Sequence, residues 1–213
     1  MIKVGIVRVL TTNKENILYS HEKILKEKFL NFEIETRCIP DQPEGIHNIS
    51  TEKLAVPKII KLAKEFEAEG KDAVFISCAA DPGVKECRKE LKIPVIGAGS
   101  SCAALALSMG QKVGILGITD EAPSIMVDVL QNKFIYNIKP DGVNTTLDLY
   151  DETGRKNTLK AAEILKKKGC DVIALGCTGL STISIYKEIS RNLHIKVIDA
   201  VIAAGTIISY LQF

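Results

Sequence analysis

A chain of 213 residues, 46% of them hydrophobic and 25% charged, has the composition of a globular protein that can bury a sizeable core. Its 28 basic and 26 acidic side chains nearly cancel, and no basic stripe with interleaved aromatic residues is visible, which argues against nucleic acid as a partner. No stretch approaches the roughly 20 apolar residues of a membrane span, and the N-terminal MIKVGIVRVL reads as a strand, not a signal peptide, so the sequence predicts a cytoplasmic protein.

The predicted elements alternate between strands and helices from the N-terminus onward. After a first strand in KVGIVRVLT (3–11), apolar residues at helical spacing predict a helix over 15–30, and FEIETRCIP supplies the next strand. A second helix carries Ile59 and Phe66 on one face and stops at Gly70, because glycine after the last turn ends a helix. The strands DAVFISC and IPVIGA follow, and the continuous apolar run in the first suits a strand covered on both faces of a sheet.

The second half of the chain repeats the strands of the first half in the same order. KVGILGITD matches KVGIVRVLT, GCDVIALGCT matches GKDAVFISCA, and IKVIDA matches IPVIGA. Three matches in order indicate an internal duplication, and strands that alternate with helices indicate parallel sheets. The sequence therefore predicts an α/β fold with two pseudo-symmetric, doubly wound parallel-sheet lobes and a cleft between them. We assign residues 1–98 with 200–213 to the first lobe and 99–199 to the second.

Two cysteines occupy matching positions in the repeat, Cys78 after DAVFIS and Cys177 after DVIALG. Ligands of parallel α/β sheets bind beyond the carboxyl ends of the strands, where both thiols are predicted to lie. Thiols that approach one ligand from opposite sides suit racemisation, in which a base removes a proton from one face of a carbon and an acid returns one to the other face. The remaining cysteines lack this duplicated context and are predicted to be structural: Cys38, Cys87, Cys102 and Cys170.

The sequence predicts neither a metal site nor a cofactor. The cysteines contain no C-x-x-C pair and the three histidines lie far apart. GAGSS (97–101) lacks the third glycine of a dinucleotide fingerprint, and there is no phosphate-binding loop. His21 is predicted to be a core or lobe-interface residue, and His47 lies in a loop where the sequence leaves its role open.

The residues after each cysteine are predicted to begin a helix. Asp81 reads as an N-cap with Pro82 at the first helical position, and Thr178 and Gly179 mark a second helix start. Backbone N–H groups and the helix dipole at such starts favour an anion. They can therefore lower a thiol pKa or hold a substrate carboxylate.

Two residues break the repeat at the edge of the sheets that carries the thiols. Asp199 follows the last strand where its counterpart is Gly97, and it is predicted to line the cleft. Arg8 ends the first strand where its counterpart is Gly117. A guanidinium binds a carboxylate in a bidentate manner, which suits an acidic substrate. The alternative is a structural ion pair.

Two strand-end cysteines in duplicated α/β lobes, with CAADPG (78–83), GCTGLS (176–181) and VIDA (197–200), resemble the aspartate/glutamate/hydantoin racemase superfamily over nearly the whole chain. The resemblance implies cofactor-independent racemisation of a small molecule by Cys78 and Cys177. It also implies that backbone and hydroxyl groups near the thiols and in the strand-end loops bind the substrate. These groups belong to Arg8, Thr11, Thr12, Ala79, Ala80, Thr119, Thr178 and Gly179.

Two departures leave the substrate open between an amino acid and a hydantoin. Amino-acid racemases of this superfamily often place Asn-Thr after the first cysteine, where this chain has Ala79 and Ala80, and hydantoin racemases carry an Asn-rich first loop, where this chain has RVLTT. Relatives with one cysteine decarboxylate malonates or isomerise maleate, and the second thiol favours a racemase over those. Further alternatives are a non-catalytic binding protein of the same fold and a redox dithiol protein. The sequence also leaves open whether the chain forms a homo-oligomer.

Overall fold

The computed structural model describes residues 1–46 and 48–213, so His47 lies outside the described residues. The chain divides into two compact units, one formed by Met1–Ala98 with Ala204–Phe213 and the other by Gly99–Ala203. Each unit contains one four-stranded parallel sheet with helices packed against it. In the described part of the chain, no helix combines the length and the apolar character that crossing a membrane requires.

Four parallel strands form the sheet of the first unit. They are β1 (Ile2–Arg8), β2 (Phe32–Cys38), β3 (Ala73–Ser77) and β4 (Val95–Gly97). Their order across the sheet is β2-β1-β3-β4. The helices of this part of the chain are α1 (Glu15–Leu18), α2 (Ser20–Lys28), α3 (Ile49–Ala68) and α4 (Val84–Glu90). The single helix predicted over 15–30 is thus two helices, because the chain leaves the helical path at Tyr19.

The second unit repeats this arrangement. Its strands are β5 (Val113–Leu116), β6 (Phe134–Ile138), β7 (Val172–Leu175) and β8 (Lys196–Ile198). Their order is β6-β5-β7-β8, which is the order of the first sheet with every strand replaced by its repeat. The helices from here to the C-terminus are α5 (Ala98–Met109), α6 (Ser124–Leu130), α7 (Glu152–Lys167), α8 (Thr178–Thr182), α9 (Ile185–Leu193) and α10 (Ala200–Ser209). The predicted α/β fold with two lobes is confirmed.

At the amino end of each sheet, an aspartate carboxylate accepts a hydrogen bond from the backbone at the start of the first strand. Asp72 precedes β3, and its Oδ2 accepts a hydrogen bond from the backbone N–H of Lys3 at 2.7 Å. Asp171 precedes β7, and its Oδ1 accepts from the N–H of Lys112 at 2.9 Å. Lys3 and Lys112 are counterparts in the repeat, so both aspartates join the third strand of a sheet to the start of the first. These carboxylates lie at the amino ends of the strands, opposite the edge that carries the cysteines.

A glycine in the first strand of each unit allows a long helix to pack closely on the sheet. A Cβ added at Gly5 in β1 would lie less than 3.0 Å from three ring atoms of Phe66, a fully buried residue of α3. A Cβ added at Gly114 in β5 would lie 2.8 Å from Cys170 Sγ and 2.9 Å from a methyl carbon of Leu165 in α7. Glycine at both positions therefore reflects close packing between a helix and a strand, and not a special backbone angle.

Candidate active site

Cys78 directly follows β3 at the carboxyl edge of the first sheet. Its side chain is half-buried against the core that α3 and α4 form with the sheet. The Cys78 carbonyl accepts a hydrogen bond from the backbone N–H of Asp81 at 3.1 Å, which closes a tight turn. The thiol therefore lies at the start of a turn whose last residue is Asp81.

Cys177 occupies the matching repeat position in the second unit, where one residue, Gly176, separates it from β7. Its carbonyl accepts from the N–H of Leu180 at 3.1 Å, which reproduces the turn of the first unit. Cys177 is also the N-cap of α8, and its Sγ accepts a hydrogen bond from the N–H of Gly179 at 3.4 Å. An N–H donor to sulfur interacts more strongly with a thiolate than with a thiol, so this contact favours the reactive form of Cys177.

The helix start predicted after Cys177 is confirmed, whereas the one predicted after Cys78 is wrong. In the second unit α8 begins at Thr178, immediately after the cysteine. In the first unit α4 begins only at Val84, and the residue before it is Gly83 at φ +70°. Asp81 itself has φ +52°, in the left-handed region, whereas an N-cap residue has an extended backbone. Asp81 is therefore not the N-cap of α4.

Arg8 is buried at the carboxyl end of β1, with 4% of its surface exposed. Strand register places it between Cys38 of β2 and Ser77 of β3. Its Nη1 donates a hydrogen bond to Ser20 Oγ at 3.2 Å. Burial raises the pKa of the Cys38 thiol, while a backbone hydrogen bond at Thr12 and the positive charge of Arg8 act in the opposite direction. Arg8 thus places a positive charge at the edge of the sheet that carries Cys78.

A buried contact beside Cys78 was not anticipated from the sequence. The Ser77 hydroxyl lies 2.6 Å from Nδ1 of His21 in α2, and both residues are almost completely buried. Because successive side chains of a strand point to opposite faces, this contact holds the strand end from the face opposite to the thiol. The sequence does show a serine at the end of an otherwise apolar strand, but no pattern in it identifies His21, 56 positions away, as the partner of that serine.

Three candidate hydroxyl groups lie in the strand-end loops, and each forms a hydrogen bond with another loop residue. Thr11 Oγ1 donates to the Ile39 carbonyl at 2.7 Å and accepts from the Gln42 N–H at 2.8 Å. Thr12 Oγ1 accepts from the N–H of Lys14 at 3.2 Å. In the second unit, Thr119 Oγ1 donates to the Glu121 carbonyl at 2.7 Å. These contacts shape the loops, and the role of the three threonines in substrate binding stays a prediction.

The four candidates next to the cysteines differ in exposure. Ala79 is buried, with 3% of its surface exposed, whereas Ala80, Thr178 and Gly179 are half-buried. A Cβ at Gly179 would lie 2.8 Å from the methyl group of Thr146, so glycine allows the loop that carries Thr146 to approach the Cys177 turn. The turns therefore offer mainly backbone groups and the Thr178 hydroxyl to a ligand.

Asp199 directly follows β8 and caps the amino end of α10. Its Oδ1 accepts hydrogen bonds from the N–H groups of Val201 and Ile202, both at 3.0 Å. Only 4% of its surface is exposed. Burial raises the pKa of the Asp199 carboxyl, and the two amides and the nearby Ser181 hydroxyl oppose that rise. Ser181 Oγ and Asp199 Oδ2 are both buried but do not meet in hydrogen-bond geometry.

A metal cluster or a surface groove would be the alternatives to a site at the cysteine turns. Among residues 1–46 and 48–213 there is no cluster of three or more His, Cys, Asp or Glu side chains arranged to hold a metal ion. A groove of about 780 Å³ in the first unit is lined by residues between Arg88 and Ile96 and between Thr206 and Leu211. It contains none of the candidate site residues, so it is not the candidate active site.

Comparison with known proteins places this arrangement in a family. The chain matches the Asp/Glu/Hydantoin racemase family over residues 21–206. It is similar to a hydantoin racemase from Rhizobium meliloti, with 27% identity over 170 residues that cover 77% of this chain and 70% of that protein.

Two solved structures share the fold. An allantoin racemase from Klebsiella pneumoniae matches with a TM-score of 0.85 and 21% identity, covering 100% of this chain and 88% of that one. A maleate isomerase from Pseudomonas putida matches with a TM-score of 0.70 and 11% identity, covering 100% of this chain and 93% of that one. At these identities the structural matches show the fold alone. The family match spans most of the chain, and the protein therefore belongs to the Asp/Glu/hydantoin racemase family and is an isomerase of the racemase type.

Proposed function

We propose that this protein racemises a 5-substituted hydantoin or a related cyclic ureide without a cofactor, with Cys78 and Cys177 as the acid–base pair. The observation that carries the proposal is the pair of matching turns. Each cysteine follows a parallel strand, and the amide three residues later donates to its carbonyl, from Asp81 in one unit and Leu180 in the other. The names of the similar hydantoin and allantoin racemases support the substrate class.

The reaction moves one proton and requires no redox partner. The hydrogen on C5 of a hydantoin is acidic because the carbanion formed on its removal delocalises onto the adjacent carbonyl oxygen as an enolate. One cysteine, as thiolate, takes this proton, and the other, as thiol, gives its proton to the opposite face of C5. The first cysteine then carries the proton and the second is the thiolate, so the pair is set for the reverse reaction. The mechanism requires that the two thiols reach opposite faces of the ring.

The surrounding backbone supports this chemistry in two ways. The Gly179 N–H that contacts Cys177 Sγ stabilises the thiolate needed at the start of one direction. We expect the amides of Ala80 and Thr178, two half-buried residues close to the cysteines in the sequence, to bind the ring carbonyl where enolate charge develops. Donors directed at developing charge contribute more in a site shielded from water than in bulk water. We expect the substrate to be held by these groups and not by a metal ion.

The direct test follows an enantiopure hydantoin in deuterated water. With L-5-isopropylhydantoin, we expect the circular dichroism signal to decay to zero while one deuterium atom is incorporated at C5, both faster than in a Cys78→Ala/Cys177→Ala double variant. The double variant corrects for spontaneous exchange at C5. A binding protein would produce neither change. If aspartate or glutamate racemises and no hydantoin does, the substrate is an amino acid. If the protein exchanges the stereocentre hydrogen of none of these compounds, the racemase proposal is wrong.

Arg8 leads to a prediction about the substituent of the ring. Its charge lies at the carboxyl edge of β1, close enough to affect the Cys38 thiol. We propose that the guanidinium binds a carboxylate on the substrate, as in 5-carboxymethylhydantoin. Arg8→Met keeps a long side chain but removes the charge, so we expect KM for this acidic hydantoin to rise about tenfold or more while KM for 5-isopropylhydantoin stays nearly unchanged.

The comparison between the two substrates separates binding from folding. A variant that is merely destabilised loses activity toward both hydantoins in the same proportion, and thermal unfolding reports that loss separately. Equal KM values of Arg8→Met and the parent protein for the acidic hydantoin would show that Arg8 does not bind the substituent. Its hydrogen bond to Ser20 would then account for its presence at the strand end.

A further inference from the structure

Each unit places a carboxyl group where its fourth strand gives way to the following helix. In the second unit the group belongs to Asp199, the residue between β8 and α10, and its Oδ1 accepts from the N–H groups of Val201 and Ile202 in the first turn of α10. In the first unit the matching residue is Gly97, which ends β4 directly before α5 and has no side chain. The repeat alone therefore suggests that the first unit lacks this carboxyl group.

Asp81 supplies the missing group from a different position in the chain. A Cβ added at Gly97 would lie less than 3.0 Å from Oδ1, Oδ2 and Cγ of Asp81, and these are the three atoms nearest to it. The carboxyl group of Asp81 thus occupies the space that a side chain at position 97 would fill. In the repeat the counterpart of Asp81 is Leu180. The first unit therefore has aspartate in the cysteine turn and glycine at the end of the fourth strand, whereas the second unit has leucine in the turn and aspartate after the strand.

Because of this difference, the carboxyl group of the first unit belongs to the Cys78 turn itself. Asp81 is the last residue of the Cys78 turn, with its N–H bonded to the Cys78 carbonyl and its side chain against Gly97. Its left-handed backbone, at φ +52°, suits aspartate better than most residues. The turn that begins at Cys78 is thereby held at both ends, by β3 and by the end of β4.

In the second unit the residues at the end of the Cys177 turn are buried near Asp199. Leu180 ends the Cys177 turn and is completely buried, as is Ser181, the next residue of α8. The Ser181 hydroxyl lies near the Asp199 carboxyl and favours its ionised form. Asp199 therefore caps α10 near the residue that follows the Cys177 turn.

We propose that Asp81 and Asp199 are equivalent in placing a carboxyl group where the fourth strand of each unit meets the next helix. Asp81 is in addition a positioning residue, which holds the turn after Cys78 against this strand end and so fixes the position of the thiol. This assignment rests on the proposed function in that Cys78 and Cys177 are taken as the acid–base pair. Neither carboxyl group needs to touch the substrate. Proton transfer is sensitive to small displacements of the base, which gives a positioning residue a large effect on rate.

The test moves the carboxyl group of the first unit to the position it has in the second. Asp81→Gly removes the group and suits the left-handed backbone, so we expect kcat to fall about 100-fold with little change in KM. Gly97→Asp alone forces two carboxyl groups into one space and should lower both Tm and kcat. The Asp81→Gly/Gly97→Asp double variant removes the obstruction and restores the group, so most of the lost kcat should return.

The position of Cys78 can also be measured without any substrate. Alkylation by iodoacetamide, followed peptide by peptide with mass spectrometry, should become about tenfold faster at Cys78 in Asp81→Gly and remain unchanged at Cys177, because the released turn opens locally. The double variant should restore the slow rate. Asp41→Gly is the matched control, since Asp41 is an exposed aspartate at φ +50° outside the candidate site, and it should change neither rate.

The outcomes separate this proposal from the proposed function. If Asp81→Gly leaves the alkylation rate of Cys78 unchanged, or if the double variant behaves no better than Asp81→Gly, the equivalence of Asp81 and Asp199 is wrong. If the alkylation rates follow the expected pattern while no variant changes turnover, the positioning role stands and the assignment of Cys78 as a catalytic base is wrong.

Discussion

Replacing either Cys78 or Cys177 with alanine is expected to abolish two-way racemisation, with kcat falling by about 1,000-fold or more. Each direction of the reaction needs a base on one face of the stereocentre and an acid on the other, so neither thiol can serve alone. The remaining cysteine still has a base for one enantiomer. We therefore expect each single variant to exchange the C5 hydrogen of one enantiomer with deuterated water and to leave the other enantiomer unlabelled.

Cys38→Ala is the matched control for these two variants. Cys38, Cys78 and Cys177 are the three half-buried cysteines of the described residues, and Cys38 also ends a strand at the carboxyl edge of the first sheet. It has no counterpart cysteine in the second unit, where β6 ends at Ile138. Cys38→Ala should therefore racemise at nearly the parental rate. Complete turnover of both enantiomers by either single variant would disprove the two-thiol mechanism, because it would show that one thiol is sufficient.

The sequence predicted the fold and the placement of the two cysteines because both depend on local or repeated patterns. Apolar residues at strand and helix spacing mark the elements, and the repeated GxDxxxxxC pattern marks equivalent strand ends. The sequence pattern gave a wrong prediction where the same residues are typical both of a helix start and of a turn. Asp81-Pro82-Gly83 resembles a helix start, but glycine at φ +70° lets the chain turn once more before α4 begins at Val84.

Contacts between distant parts of the chain explain what the sequence did not predict at the candidate site. The contact of His21 with Ser77 joins residues 56 positions apart, and the approach of Asp81 to Gly97 depends on where β3 and β4 end in the same sheet. Residue type placed Arg8 at the correct edge but did not predict that it is buried against Ser20. Sequence patterns specify the edge of the sheet, whereas packing decides which side chains meet there.

The largest expected effect on stability concerns Gly5. Gly5→Ala should lower the free energy of unfolding by about 2 to 3 kcal/mol, because the added methyl group would overlap the Phe66 ring and the close packing of α3 on β1 leaves no room for it. The ring is also held by the Arg37 guanidinium, whose carbon lies 4.9 Å from the ring centre. Gly117→Ala is the control: a Cβ there has no neighbour closer than 3.7 Å, and we expect a change of no more than about 0.5 kcal/mol.

A double-mutant cycle identifies the overlap as the cause. Phe66→Ala removes the ring and should cost about 3 to 5 kcal/mol by leaving a cavity. In the Gly5→Ala/Phe66→Ala double variant the added methyl group meets no ring, so the loss should equal that of Phe66→Ala alone, which corresponds to a coupling energy of about 2 to 3 kcal/mol. Urea unfolding of the four proteins measures this coupling. Additive losses would mean that residue 5 is glycine for a reason other than Phe66, and the close approach of Leu165 to Gly114 in the second unit would then lose its explanation as the same packing device.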